Sequence, residues 1–170
     1  MRVCGLDPGS VRLGYAVIKA EGQLLSYVEC GVLTARAGAG KYERLAELAA
    51  DLERLLSEMK PDVVAMEAGF VGMVKGKHQQ GVLVSAAARG VAGMLAARAG
   101  IPVVEYAPST VKLRATGKGN ADKTLVAKMV MRRLFLQREP APDAADALAI
   151  AICHADEMVF ERRAAARAAG

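Results

Sequence analysis

Aromatic side chains are scarce in this sequence: they make up 4% of 170 residues, and there is no Trp. The core is therefore expected to be aliphatic and Ala-rich, and each aromatic needs its own reason. Cysteine is equally thin. Cys4, Cys30 and Cys153 lie far apart without Cys-x-x-Cys spacing, which argues against a disulfide framework or a zinc centre. No uncharged apolar run approaches the roughly 18 residues of a membrane span. The opening MRVCGLD lacks the basic segment, apolar stretch and cleavage site of a secretory signal. The expectation is a cytoplasmic protein with no membrane partner.

What is present is ordinary globular composition, 53% apolar and 24% charged, in a chain long enough to bury a core without staples. One domain is expected over 1–163, with a frayed tail over 164–170. The net charge of +5 permits a nucleic-acid partner without demanding one.

Arg2–Asp7 reads as a strand ending in Asp-Pro-Gly, followed by strands over Leu13–Lys19 and Leu24–Leu33 in an antiparallel meander. Lys41–Lys60 carries Leu45, Leu48, Leu52, Leu55, Leu56 and Met59 at helical spacing, and Pro61 ends it. Asp62–Glu67 is apolar on both faces, as a buried parallel strand would be. Residues 69–81 are Gly-rich, basic and aperiodic, a loop or frayed helix. An Ala-rich helix follows over Val82–Ala99 with Gly100 at C′, then a strand over Ile101–Tyr106. Ser109–Arg114 makes a helical turn and 116–120 a loop. Asn120 caps a helix running to about Leu136, and Pro142 opens a last helix running to about Arg163. The sum is an α/β domain with a mixed five-stranded sheet and flanking helices.

Four acids sit where packing alone does not want them. Asp7 and Glu67 end two strands; if those strands are parallel neighbours, their carboxyl ends lie together, at the edge where open α/β sheets bind ligands. Asp143 and Asp146, three apart in PDAADALAIAI, share a helix face. Each also has a bland reading: Asp7 as a turn initiator, Glu67 as a solvated strand end, Asp143 as a complement to the helix dipole. Asp146 is harder to dismiss, because Ala and Leu surround it and a buried carboxylate is usually paired or metal-bound. Four converging carboxylates repel unless cations neutralise them. Hard divalent ions take such oxygens, and two ions about 4 Å apart clamp both oxygens of a phosphodiester displacement. The pattern points to metal-assisted phosphodiester hydrolysis with water as nucleophile.

MRVCGLDPGSVRLGYAVI, DVVAMEAGF, VEYAPSTVKLRATGKGNADK and PDAADALAIAI resemble the RuvC family of crossover (Holliday) junction endodeoxyribonucleases, in family order and across nearly the whole chain. The resemblance implies a ribonuclease-H-like fold and a homodimer that nicks two symmetric strands of four-way junction DNA. It also implies work beside a RuvA–RuvB branch-migration complex in recombination and repair. Asp7, Glu67, Asp143 and Asp146 match the family's metal-binding acids, for two Mg²⁺ or Mn²⁺ ions per site. Lys112 and Lys123 match its active-site lysines; taken alone, each is an ordinary solvated lysine.

Phe70, the lone aromatic of 69–81, suggests base stacking or wedging at the junction, against a plain core role. Lys75 and Lys77 beside it read as phosphate contacts. Lys118 and Asn120 are candidate DNA contacts in the Gly-rich loop, Asn120 with its competing role as a cap. Arg89 faces DNA or a partner helix. Ala86-Ala87-Ala88 departs here from the family's Gly-Gln-Ala, so no role of that Gln carries over. The small-residue face of Val82–Ala99 suits a dimer interface or packing within the domain. His78 and His154 receive no role.

A nucleotide-phosphate site, another nuclease and a non-catalytic binder are the rival readings. GKGNADKT misses a P-loop at Asp122 and follows no strand. The Asp-Pro-Gly-Ser turn also resembles actin-like ATPases, which need two such domains. The four acids alone do not separate a junction resolvase from a ribonuclease-H-like nuclease cutting RNA or RNA–DNA hybrid. A non-catalytic junction binder would gain nothing from clustered acids near phosphate.

Overall fold

Alternation along the strands decides this architecture. The computed structural model describes residues 1–69 and 78–168, and of residues 78–82 the backbone only. Its sheet has the order β3-β2-β1-β4-β5, built from β1 (Arg2–Pro8), β2 (Arg12–Glu21), β3 (Leu24–Thr34), β4 (Val63–Glu67) and β5 (Val103–Tyr106). The β1–β2–β3 meander is antiparallel, and β4 and β5 join parallel to β1. The sheet is thus mixed, as the sequence pattern predicts.

Helices cover both faces, since a strand set apolar on both sides must be buried on both sides. On one face, Cys4, Leu6, Leu13, Val17, Val64 and Met66 pack against α1 (Lys41–Met59) and α2 (His78–Arg98). On the other, Val3, Ala16, Ile18, Val63 and Ala65 meet α3 (Pro108–Thr116), α4 (Lys123–Arg133) and α5 (Pro142–Ala168). Among the described residues no helix is long and apolar enough to cross a membrane.

α5 lies unusually close to the sheet. A Cβ at Gly5 would collide with the Ala147 carbonyl and come within 2.8 Å of the Ala151 nitrogen. A Cβ at Gly14 would collide with the Asp143 carbonyl. These two glycines, together with Ala144, Ala147 and Ala151 on the helix, let backbone pack on backbone. The scarcity of aromatics thus has a structural counterpart in a thin, Ala-lined layer between α5 and β1–β2.

Four boundaries differ from expectation. α2 begins at His78 rather than Val82, because its Ala/Gly-rich sequence carries almost no periodic signal to mark a start. The expected turn at Ser109–Arg114 is a full helix, α3, with Pro108 in its first turn. Asn120 is not the cap of α4. Asp122 is, its carboxylate accepting from the Leu125 amide at 2.7 Å, and the helix stops at Arg133. Both residue types cap well, and the two lie two positions apart. The expected fraying over 164–170 is replaced, as far as Ala168, by an exposed continuation of α5, whose Arg and Ala residues are strong helix formers.

Candidate active site

The face on which a strand residue lies fixes where its functional group goes. Val3 and Gly5 face α5, so Asp7 does too. Val63 and Ala65 lie on that face, so Glu67 follows. The parallel register sets Leu6 against Met66, and the next residue of each strand is its acid. Asp7 and Glu67 therefore stand side by side at the carboxyl edge, beneath the first turns of α5, which bring Asp143 and Asp146.

The four acids feel one another. Burial first, then the charges of Asp146, Glu67 and Asp143, push the Asp7 carboxyl up to about 6, with Lys123 opposing. Burial and Asp146 raise Glu67, opposed by Arg89, Lys123 and Lys112. Lys123 donates to Asp146 Oδ2 at 2.7 Å, and this bond raises its own pKa. Arg12 Nε donates to Asp143 Oδ2 at 2.6 Å. Arg89 Nε donates to the Glu67 carbonyl at 3.0 Å.

The structure thus gathers Asp7, Glu67, Asp143, Asp146, Lys112, Lys123 and Arg89 at one edge. Lys118 and Asn120 are exposed in the turn before α4, close in sequence to Lys123. Phe70, Lys75 and Lys77 lie outside the described residues. His154 is buried and away from the acids, its Nδ1 2.7 Å from the Tyr106 hydroxyl, and burial lowers its pKa. Sequence reasoning missed Arg12 and Arg44. Arg44 donates to the Ser10 carbonyl at 3.2 Å and so ties the turn after Asp7 to α1. Arg12 is a charge opening an otherwise apolar strand face, two residues before Gly14, but nothing in that local pattern names its partner.

As they stand, no three His, Cys, Asp or Glu side chains among the described residues are grouped so that they could hold a metal ion. Two of the acids are instead satisfied by Arg12 and Lys123. The donor set is nevertheless that of a hard divalent ion: carboxylate oxygens only, with Asp7 and Glu67 raised by burial and by their acidic neighbours. A solvent-open cleft lined by Lys123, Thr124, Pro140, Pro142 and Asp146 gives access from the α4 side.

A five-stranded 3-2-1-4-5 sheet with acids at the carboxyl ends of β1 and β4 and on the facing helix defines a ribonuclease-H-like protein. The comparisons narrow this class. Residues 3–154 match the family described as crossover junction endodeoxyribonuclease RuvC, and the chain belongs to that family. The crossover junction endodeoxyribonuclease RuvC of Chloroflexus aggregans is 44% identical over 156 residues, covering 91% of this chain and 93% of that protein. Thermus thermophilus RuvC in complex with Holliday junction substrate superposes with a TM-score of 0.85 at 31% identity, over 95% of this chain and 96% of that one. The yeast mitochondrial Holliday junction resolvase shares the fold, with a TM-score of 0.64 at 15% identity over 95% of this chain and 82% of its own.

Proposed function

We propose that this protein is a divalent-metal-dependent endonuclease that resolves Holliday junctions by paired, symmetric nicks in DNA recombination and repair. The observation that carries the reading is the convergence of Asp7, Glu67, Asp143 and Asp146, with Asp7 held protonatable at about 6 by burial and its acidic neighbours. Its kinship with a RuvC solved on a Holliday junction supplies the substrate.

The four acids would hold two ions, Mg²⁺ or Mn²⁺. Bound there, the ions would activate water and neutralise charge on the scissile phosphate. The remaining roles belong to the chain itself. Lys123 and Lys112 supply positive charge where the phosphoryl oxygens become more negative. Arg89, bonded to the Glu67 carbonyl, fixes the end of β4 and tempers the charge of Glu67. Lys118 and Asn120 meet the DNA backbone, and Phe70, Lys75 and Lys77 keep the junction-contact roles expected from sequence.

Paired nicks need two sites related by a two-fold axis. We assign the dimer contact to the outer face of α2, where Leu83 and Met94 are exposed beside Ala86, Gly90 and Ala97. The inner face of the same helix, with Ala88, Ala92, Leu95 and Ala96, is spent on its own core. Partnership with RuvA–RuvB and a cytoplasmic setting belong to the same proposal, as does a single nuclease domain over 1–163. Three free cysteines are compatible with that setting.

The test is a nicking assay on a synthetic four-way junction, a linear duplex and an RNA–DNA hybrid, with and without Mg²⁺ or Mn²⁺. Wild type should make metal-dependent paired nicks in the junction only. Asp7→Asn should lose cleavage and keep, or tighten, junction binding. Cleavage of the hybrid instead would overturn the resolvase reading, and binding without cleavage by wild type would leave a non-catalytic junction binder.

A further inference from the structure

Arg12 is the one cation at the acidic edge that neither the sequence reading nor the proposed mechanism uses. It opens β2 on the α5 face, two residues before the Gly14 on which the Asp143 backbone rests. Its own backbone is fixed by pairing with Thr34. Its side chain is not fixed: it is 52% exposed and holds Asp143 through Nε alone. No other hydrogen bond from its guanidinium is formed among the described residues.

The charge balance of the edge gives this contact a meaning. Asp7, Glu67, Asp143 and Asp146 carry four negative charges when ionised. Among the described residues, Lys112, Lys123, Arg89 and Arg12 carry four positive ones. A divalent ion that takes Asp143 Oδ2 must displace the guanidinium already bonded to it. Arg89 is tied to a backbone carbonyl at the end of β4. Arg12 is held at a single atom and faces solvent. A guanidinium displaced from a carboxylate pairs equally well with a phosphate, because both present oxygens to the same planar donors.

We infer that Arg12 is an exchangeable counter-ion and positioning residue. It neutralises and orients Asp143 while the site is empty of divalent cation, yields that carboxylate when a cation enters, and then engages a backbone phosphate of the DNA. This rests on the reading of the four acids as a divalent-cation site. It adds a competition between a side chain and the metal, and a DNA contact made only in the loaded state.

The experiment measures Mn²⁺ binding to the DNA-free protein by electron paramagnetic resonance. It then measures affinity for a four-way junction in Ca²⁺ as a function of salt. Wild type, Arg12→Ala, Arg12→Gln and Asp143→Asn are compared, each checked for folding by circular dichroism. Arg12→Ala and Arg12→Gln should bind Mn²⁺ several-fold more tightly than wild type. The salt slope of junction binding should fall by about one, the signature of one lost phosphate contact. Asp143→Asn should bind Mn²⁺ more weakly. Equal or weaker Mn²⁺ binding by both Arg12 variants, or an unchanged salt slope, overturns the inference. Absence of Mn²⁺ binding by wild type would instead overturn the metal-site reading beneath it, and the two failures are thereby distinct.

Discussion

The first turns of α5 and its middle both carry acids paired to cations from neighbouring elements, and the two regions are built differently. Past the middle of the helix, Arg114 grips Glu157 through two hydrogen bonds, at 2.7 and 3.1 Å, and Arg133 grips Asp156 through two, at 2.6 and 2.8 Å. These arginine side chains are only 28% and 26% exposed. Arg114 also lies over the Phe160 ring. At the first turns, Arg12 and Lys123 each touch one carboxylate oxygen and are 52% and 80% exposed. Bidentate, half-buried pairs fasten α3 and α4 to the helix. Single, exposed pairs contribute little to stability and exchange readily. Charge is spent on holding the fold past the middle of the helix and is left exposed and singly bonded at its first turns.

The sharpest way to break this comparison is to lift the helix off the sheet between its two ends. Gly5→Ala places a methyl against the Ala147 carbonyl, with backbone rather than side chain in its path. Overpacking of this kind should cost about 3 kcal/mol or more, read as a large fall in melting temperature with loss of cleavage. Arg133→Ala tests the fastening end by itself. It leaves Asp156 unpaired and should cost about 1–2 kcal/mol, with cleavage at low temperature close to wild type.

The site end should respond with the opposite sign. The folded state holds Asp7 near 6 against an ordinary 3.8, so it binds the proton more tightly than the unfolded chain does. Stability carried by the protonated group is full below the ordinary value and is lost as pH rises through about 6. In metal-free buffer at pH 7, Asp7→Asn should therefore be more stable than wild type by about 1–2 kcal/mol once solvent screening is allowed for, read by denaturant unfolding. The gap should close below pH 4. A mutant no more stable than wild type at pH 7 would mean that the acids are not strained in the folded protein.

The sheet and the four acids were legible because their signals are local. Alternation marks strands, Asp-Pro-Gly marks the end of β1, and PDAADALAIAI carries both helical acids in one stretch. Arg12 was not legible as a site residue, because its partner is 131 positions away and nothing near Arg12 specifies that distance. The same holds for Arg133 and Asp156. The start of α2 was lost for another reason: Ala and Gly on every side of a helix leave no stripe to read. The cap of α4 was misplaced by two residues because the choice between Asn120 and Asp122 depends on which amide each carboxamide or carboxylate reaches, a matter of backbone path.

The close seat of α5 on β1 and β2 also has a consequence in time. The meander of β1–β3 is made early in synthesis, whereas the acids of α5 come far later. At roughly 5–20 residues per second, the stretch between Arg12 and Asp143 takes on the order of ten seconds to make. During that interval the nascent chain holds Asp7 without its helical partners, so the four-acid edge is incomplete. The same long-range closure predicts slow folding, since contacts between distant parts of a chain raise contact order. The synthesis of α5 is thus also the step that completes the acidic edge.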